Sequence, residues 1–130
     1  TRLFPGMAEL LAELERRAVP WGVVTNKAER FTHPLLELLG VHHRTACIVG
    51  GDTTGKIKPD PAPLLAASER IGIAPGRCVY VGDDLRDMQA GRAAGMKVVA
   101  ARFGYLNGTD PETWGADAII DQPQDLLLHL

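Results

Sequence analysis

Short apolar runs alternate along this chain with longer segments of helical periodicity, and this alternation is the strongest constraint on its fold. Five runs rich in Val, Ile and Ala predict strands at 21–25, 46–49, 77–82, 97–101 and 116–121, and apolar spacing predicts helices at 6–18, 30–40, 61–72 and 85–95. Short buried strands separated by helices indicate parallel βαβ units. The sequence therefore predicts an α/β fold, a Rossmann-like three-layer α/β/α sandwich with a mostly parallel sheet.

Size and charge narrow the class of protein. The chain has 130 residues and 45% hydrophobic content, which suits one domain spanning residues 1–130. It carries 14 Lys and Arg against 16 Asp and Glu, so its net charge of -2 gives no support to nucleic-acid binding. Its apolar stretches are too short to cross a bilayer, and its first residues lack the pattern of a secretory signal. We expect a cytoplasmic enzyme with neither membrane nor nucleic acid as partner.

Residues that could bind a ligand occur at two places, directly after the first strand and just before a proline further along the chain. Parallel sheets bind ligands beyond the carboxyl ends of their strands, where Thr25 and Asn26 fall. Their side chains can bind an anionic oxygen, although, taken alone, an N-cap or turn pair that closes the strand is the better explanation. In GKIKPDPAP, Lys58 precedes Pro59, which favours an extended backbone at the lysine and suits an ammonium that meets a phosphate. Lys56 is the competing choice, and an ordinary surface charge is the alternative for both.

Three acids gather where the most apolar strand ends, in VYVGDDLRD. Asp84 is placed to cap the next helix, and Asp87 falls in its first turn, one turn from Asp83. Capping explains one or two acids, whereas three favour a hard divalent cation. A set of oxygen ligands indicates magnesium (Mg2+) ahead of zinc. A hydroxyl, a lysine and a carboxylate-held magnesium are together the parts of a phosphoryl-transfer site.

These motifs resemble those of a known superfamily. VVTN, KPDP and GDDLRD, in this order, are similar to the second, third and fourth motifs of the haloacid dehalogenase superfamily, and more narrowly of its phosphoglycolate phosphatase-like members. The resemblance covers essentially the whole chain. It implies a magnesium-dependent phosphomonoester hydrolase acting on a small phosphorylated metabolite, with 2-phosphoglycolate as the first candidate. WGVVTNK and VGDDLRD also resemble phosphatases of N-acetylmuramic acid 6-phosphate, which leaves the substrate open.

The resemblance also assigns roles to individual residues. It implies that Thr25 hydrogen-bonds the phosphoryl group with Asn26 beside it, and that Lys58 holds the phosphoryl oxygens and the nucleophile. It makes Asp83 a direct magnesium ligand. Asp87 would support the site through the lysine or a metal-bound water, and the role of Asp84 stays open.

One departure from the family is severe. The family's aspartate nucleophile belongs to a DxD motif that ends the first strand and is followed by a cap domain, but no DxD occurs in these 130 residues. The resemblance implies that the chain is a partial core domain whose first strand and cap precede Thr1. In the family that strand lies between those bearing Thr25 and Asp83, so we expect two strand edges without partners and an inactive isolated chain. A phosphate-binding module that lost its nucleophile is the alternative; a response-regulator receiver domain fits the motif order poorly.

Overall fold

A computed structural model describes residues 2–104 and 108–130 of the chain. The described part contains, in order, α1 (Met7–Arg16), β1 (Val23–Val24), α2 (Glu29–Leu38), β2 (Ile48–Val49), α3 (Ala62–Ile71), β3 (Val79–Gly82), α4 (Leu85–Ala93), β4 (Lys97–Ala101) and β5 (Ala118–Ile120). Short 3-10 helices lie at Pro75–Arg77, Pro111–Thr113 and Pro123–His129. The order of helices and strands agrees with the sequence prediction; β4 has its predicted bounds, and the other four strands are shorter than predicted. None of the helices within the described ranges is long and apolar enough to span a membrane.

The strands form two parallel sheets. β1 pairs with β2, placing Val23 opposite Ile48, and β4 pairs with both β3 and β5. Within residues 2–104 and 108–130, β1 and β3 have no strand partner on the edges away from β2 and β4. The expectation of two strand edges without partners is therefore confirmed.

Side chains alternate between two faces, each covered by helices. Val23 of β1 and Val79 and Val81 of β3 pack against the cluster that contains Leu10 of α1. Their neighbours Val24 and Tyr80 instead pack against a cluster on the other face, formed by Leu64 of α3, Ala90 of α4 and residues just after α4. This period of two, with helices on both faces, confirms the three-layer α/β/α class.

An apolar cleft of about 490 Å³ runs through the region between β1 and β3. Its lining includes Val23 and Val24 of β1 and Val79 and Val81 of β3, together with leucines of α1 and α3. The two sheets are therefore connected through helices, loops and side chains rather than through a continuous ladder of backbone hydrogen bonds.

Candidate active site

Thr25 directly follows β1 and is tied into the sheet by its backbone. Its N–H donates to the carbonyl of Val49 at 3.0 Å, and its Oγ1 accepts from the N–H of Lys27 at 3.1 Å. Because the hydroxyl oxygen serves as an acceptor here, its proton can be donated to another group. No acceptor for that proton lies among the described residues. Thr25 can therefore donate to an anionic oxygen.

Asn26 joins the end of β1 to the segment that carries Lys58. Its Oδ1 accepts from the backbone N–H of Lys58 at 2.9 Å, and its Nδ2 donates to the carbonyl of Lys58 at 3.3 Å. Both polar atoms of the amide are thus used to hold the backbone of the lysine. Asn26 fixes where the Lys58 side chain starts.

The side chain of Lys58 enters a nearly buried cluster on β3 and α4. Its Nζ lies 2.6 Å from Oδ1 of Asp87, and the two side chains are only 12% and 7% exposed. Its Nζ also donates to Oη of Tyr80 at 3.0 Å. Two of the three N–H groups of the Lys58 ammonium are therefore used in hydrogen bonds to Asp87 and Tyr80. Lys56, the competing lysine, is 67% exposed and lies 3.9 Å from Asp60, so the preference for Lys58 agrees with the geometry.

The three acids of GDDLRD have separate tasks. Asp84 is the N-cap of α4, since its Oδ1 accepts from the N–H of Arg86 at 2.9 Å, and the Arg86 guanidinium lowers its pKa. Asp87 accepts through Oδ1 from Lys58 and through Oδ2 from the N–H of Asp83 at 3.1 Å. The capping prediction for Asp84 is confirmed. Two of the three carboxylates are engaged by Arg86 and Lys58, and the assignment of a cation to Asp83 stays a prediction.

These contacts connect the residues predicted to form the site. Asn26 holds Lys58, Lys58 pairs with Asp87, and Asp87 accepts from the backbone of Asp83. The segments bearing Thr25, Lys58 and Asp83 thus meet where β1 and β3 end, as expected for a ligand site of a parallel sheet.

Two glycines leave room for the acids. A Cβ on Gly104 would lie 2.5 Å from Oδ2 of Asp83, and one on Gly82 would lie 2.3 Å from Oδ2 of Asp87. Neither separation is sterically possible without movement of the carboxylate or the backbone. Sequence reasoning missed Gly104, which follows β4 in a stretch with no acidic residue to attract notice.

A magnesium ion would find only part of its coordination shell here. Among residues 2–104 and 108–130, no three Asp, Glu, His or Cys side chains are grouped so that they could hold a metal. Magnesium commonly takes one or two carboxylates, with water and substrate phosphate completing its octahedron. The Asp83 carboxylate at the end of β3 fits the role of one such ligand.

Comparison with known proteins identifies the family. The model of the haloacid dehalogenase-like hydrolases matches residues 1–101. The chain belongs to this family. The resemblance inferred from the motifs is confirmed, and membership rules out the receiver-domain alternative. Phosphatases of the haloacid dehalogenase-like family generally use magnesium.

Two curated relatives in the family are phosphatases. The chain is 46% identical over 128 residues to the N-acetylmuramic acid 6-phosphate phosphatase of Pseudomonas aeruginosa, covering 98% of this chain and 57% of the relative. It is 49% identical over 126 residues to a phosphoglycolate phosphatase of Xanthomonas campestris pv. campestris, covering 96% and 57%. The chain thus spans little more than half the length of either relative.

A solved structure shares the fold. The crystal structure of a predicted phosphoglycolate phosphatase from Haemophilus somnus superposes with a TM-score of 0.92 at 32% identity, covering 98% of this chain and 57% of that one. A match of this extent confirms the haloacid dehalogenase-like core architecture for the described residues.

Proposed function

We propose that the protein containing this chain is a cytoplasmic, magnesium-dependent phosphomonoester hydrolase acting on a small phosphorylated metabolite, with 2-phosphoglycolate as the first candidate. The observation that carries the proposal is the nearly buried ion pair of Lys58 and Asp87, held beside the ends of β1 and β3. A lysine that is nearly buried and held by two hydrogen-bond partners is positioned for a function, since most lysines lie at the surface without such partners.

Lys58 and Thr25 would bind the phosphoryl oxygens. Tyr80 and Asp87 accept hydrogen bonds from two of the three N–H groups of the Lys58 ammonium, which leaves the third to donate to an oxygen of the substrate. The Thr25 hydroxyl supplies a second donor. Phosphoryl transfer relies on positioning and on charge stabilisation. Asn26 would act on the substrate through Lys58, because its amide holds the lysine backbone.

Asp83 would be the ligand that this chain contributes to magnesium. When bound, the ion would offset charge on the phosphoryl oxygens. Asp87 would help to place Asp83 by accepting from its N–H, and would orient Lys58.

The cleft between β1 and β3 would receive the strand that carries the nucleophile. Neighbouring strands lie about 4.8 Å apart, and one strand inserted here would satisfy both unpaired edges at once. Chain 1–130 would then be a partial core domain, completed by a strand with the DxD motif and a cap domain from the segment preceding Thr1. The covalent step would belong to that segment.

A second substrate candidate is N-acetylmuramic acid 6-phosphate, because one relative of similar identity acts on it. The test is phosphate release by the purified full-length gene product with each compound, with and without Mg2+. We expect magnesium-dependent hydrolysis, and a kcat/KM at least about tenfold higher for one compound would assign the substrate, since that corresponds to about 1.4 kcal/mol in transition-state binding. Phosphate binding without hydrolysis would favour a module that lost its nucleophile.

A further inference from the structure

The hydroxyl of Tyr80 stands at the centre of the site, although the sequence places this residue in an apolar strand. Its Oη lies 3.0 Å from Nζ of Lys58, 3.3 Å from the carbonyl oxygen of Val24 and 3.5 Å from Oδ1 of Asp87. The ring packs against the cluster of α3 and α4 side chains that includes Leu64. A tyrosine packed on its ring side needs polar partners only for its hydroxyl, and here all three of those partners belong to the site or to the end of β1.

The direction of each hydrogen bond follows from the number of protons. Burial, and then the negative charge of Asp87, raises the pKa of Tyr80 well above its ordinary value, so the phenol keeps its one proton. Lys58 can only donate, and Tyr80 therefore accepts from it. The phenol proton is then directed to the carbonyl of Val24, the residue before Thr25.

This hydroxyl connects two parts of the site that no strand pairing joins. Val24 belongs to β1 and Tyr80 to β3, on opposite sides of the apolar cleft. Lysine is a point charge on a flexible stem, and one contact with Asp87 fixes the distance of the ammonium but not its direction. The second contact, with Tyr80, fixes the direction in which the third proton points.

We infer that Tyr80 is a positioning residue, which orients the Lys58 ammonium and sets its place relative to Thr25 at the end of β1. The inference rests on the proposed phosphatase function. Tyr80 touches no reacting atom in this account and acts through the lysine. Tyr80→Phe removes only the hydroxyl and keeps the ring that packs against the cluster containing Leu64 and Ala90.

The test is a kinetic double-mutant cycle in the full-length gene product. We expect Tyr80→Phe to lower kcat about tenfold, the usual scale for a lost hydrogen bond to a charged group, while KM changes by less than about twofold. In a Lys58→Gln background, where a neutral amide can still donate to Asp87, Tyr80→Phe should change kcat by less than about twofold. The matched control is Ser68→Ala, which removes a buried hydroxyl on α3 that donates to the carbonyl of Ile73, just beyond the end of that helix.

The kcat values of these variants decide whether Tyr80 positions Lys58. A drop in kcat for Tyr80→Phe that disappears in the Lys58→Gln background, with Ser68→Ala lowering only the melting temperature, supports it. An unchanged kcat, an equal drop in both backgrounds or the same drop in Ser68→Ala would overturn it while the phosphatase activity of the wild type stands. A wild type with no phosphatase activity would instead refute the proposed function, and the role of Tyr80 in that reaction with it.

Discussion

Nζ of Lys58 and Oδ1 of Asp87 lie 2.6 Å apart although 29 residues separate them in the chain. Asp87 stands in the first turn of α4, and Lys58 comes from the loop before α3, held there by Asn26. The pair is nearly buried, so removal of one partner leaves the other charge without compensation.

Lys58→Ala should therefore affect both activity and stability. In the full-length protein we expect kcat/KM to fall about 10²- to 10³-fold, as when one preorganised donor is removed from an active site. The free energy of unfolding should fall by about 3 kcal/mol because Asp87 remains buried and unpaired. Steady-state kinetics and urea denaturation measure the two effects. Lys56→Ala is the matched control and should change neither, since Lys56 is exposed; equal effects of both substitutions would argue against a special role for Lys58.

Gly104→Ala should displace Asp83 without removing any polar group. The added methyl would lie 2.4 Å from Cβ of Asp83, so the carboxylate or the backbone after β4 must shift. We expect kcat to fall at least about tenfold, because a displacement of 1 Å in a site can cost a factor of about 100. Gly76→Ala is the control, since nothing lies within 4 Å of its added Cβ. Wild-type kinetics for Gly104→Ala would mean that Asp83 need not occupy this position.

Asp84 should matter for stability rather than for catalysis. Asp84→Ala removes the cap of α4 and should lower the free energy of unfolding by about 1 kcal/mol at pH 7, whereas Asp84→Asn keeps a capping oxygen. Because Arg86 lowers the pKa of Asp84 in the folded state, the contribution of its charge is present above the ordinary aspartate range and is lost as the pH falls through the lower folded-state value. Urea denaturation from pH 7 to pH 3 should show the difference between wild type and Asp84→Asn shrinking at the acid end. A difference that grows there would contradict the assignment.

Periodicity predicted the fold well because burial dictates it. The alternation of Val79, Tyr80 and Val81 between two helical layers follows directly from the period of two. Most strand lengths were overestimated: the predicted strand at 21–25 forms a regular strand only at Val23–Val24, although Trp21 and Thr25 still hydrogen-bond through their backbones to Ala46 and Val49.

The site was predicted in outline but its internal connections were not. Thr25, Lys58 and Asp83 stand at strand ends or just before a proline, which the sequence displays. The contact of Tyr80 with Val24 joins residues 56 positions apart, and the pairing of Asn26 with the Lys58 backbone joins residues 32 apart. Spacing along one chain indicates the face or end on which a side chain lies but not its partner in three dimensions.

A protein that consists of residues 1–130 alone should not turn over substrate. Thr25, Lys58 and Asp83 would bind and orient a phosphate, while the nucleophile would come from the strand that fills the cleft. A purified 130-residue protein should show no magnesium-dependent hydrolysis of 2-phosphoglycolate or of an aryl phosphate, and should gain it when the natural preceding segment is restored. Robust hydrolysis by residues 1–130 alone, lost on Asp83→Asn, would mean that an acid of GDDLRD attacks the phosphorus.

The most direct test of the account is a Mg2+ titration of phosphatase activity in the full-length protein with Asp83→Asn and Asp84→Asn side by side. The two aspartates are adjacent and lose the same charge, but only Asp83 is assigned to magnesium, while Asp84 caps α4. We predict that Asp83→Asn lowers kcat at least about 100-fold and raises the Mg2+ concentration for half-maximal activity, since a lost metal contact removes charge stabilisation of the phosphoryl group. Asp84→Asn should stay within about twofold of wild type in kcat and in the Mg2+ concentration for half-maximal activity, because asparagine caps a helix about as well as aspartate does. Near wild-type activity and Mg2+ dependence in Asp83→Asn, or equal losses in the two variants, would contradict the assignment of this site.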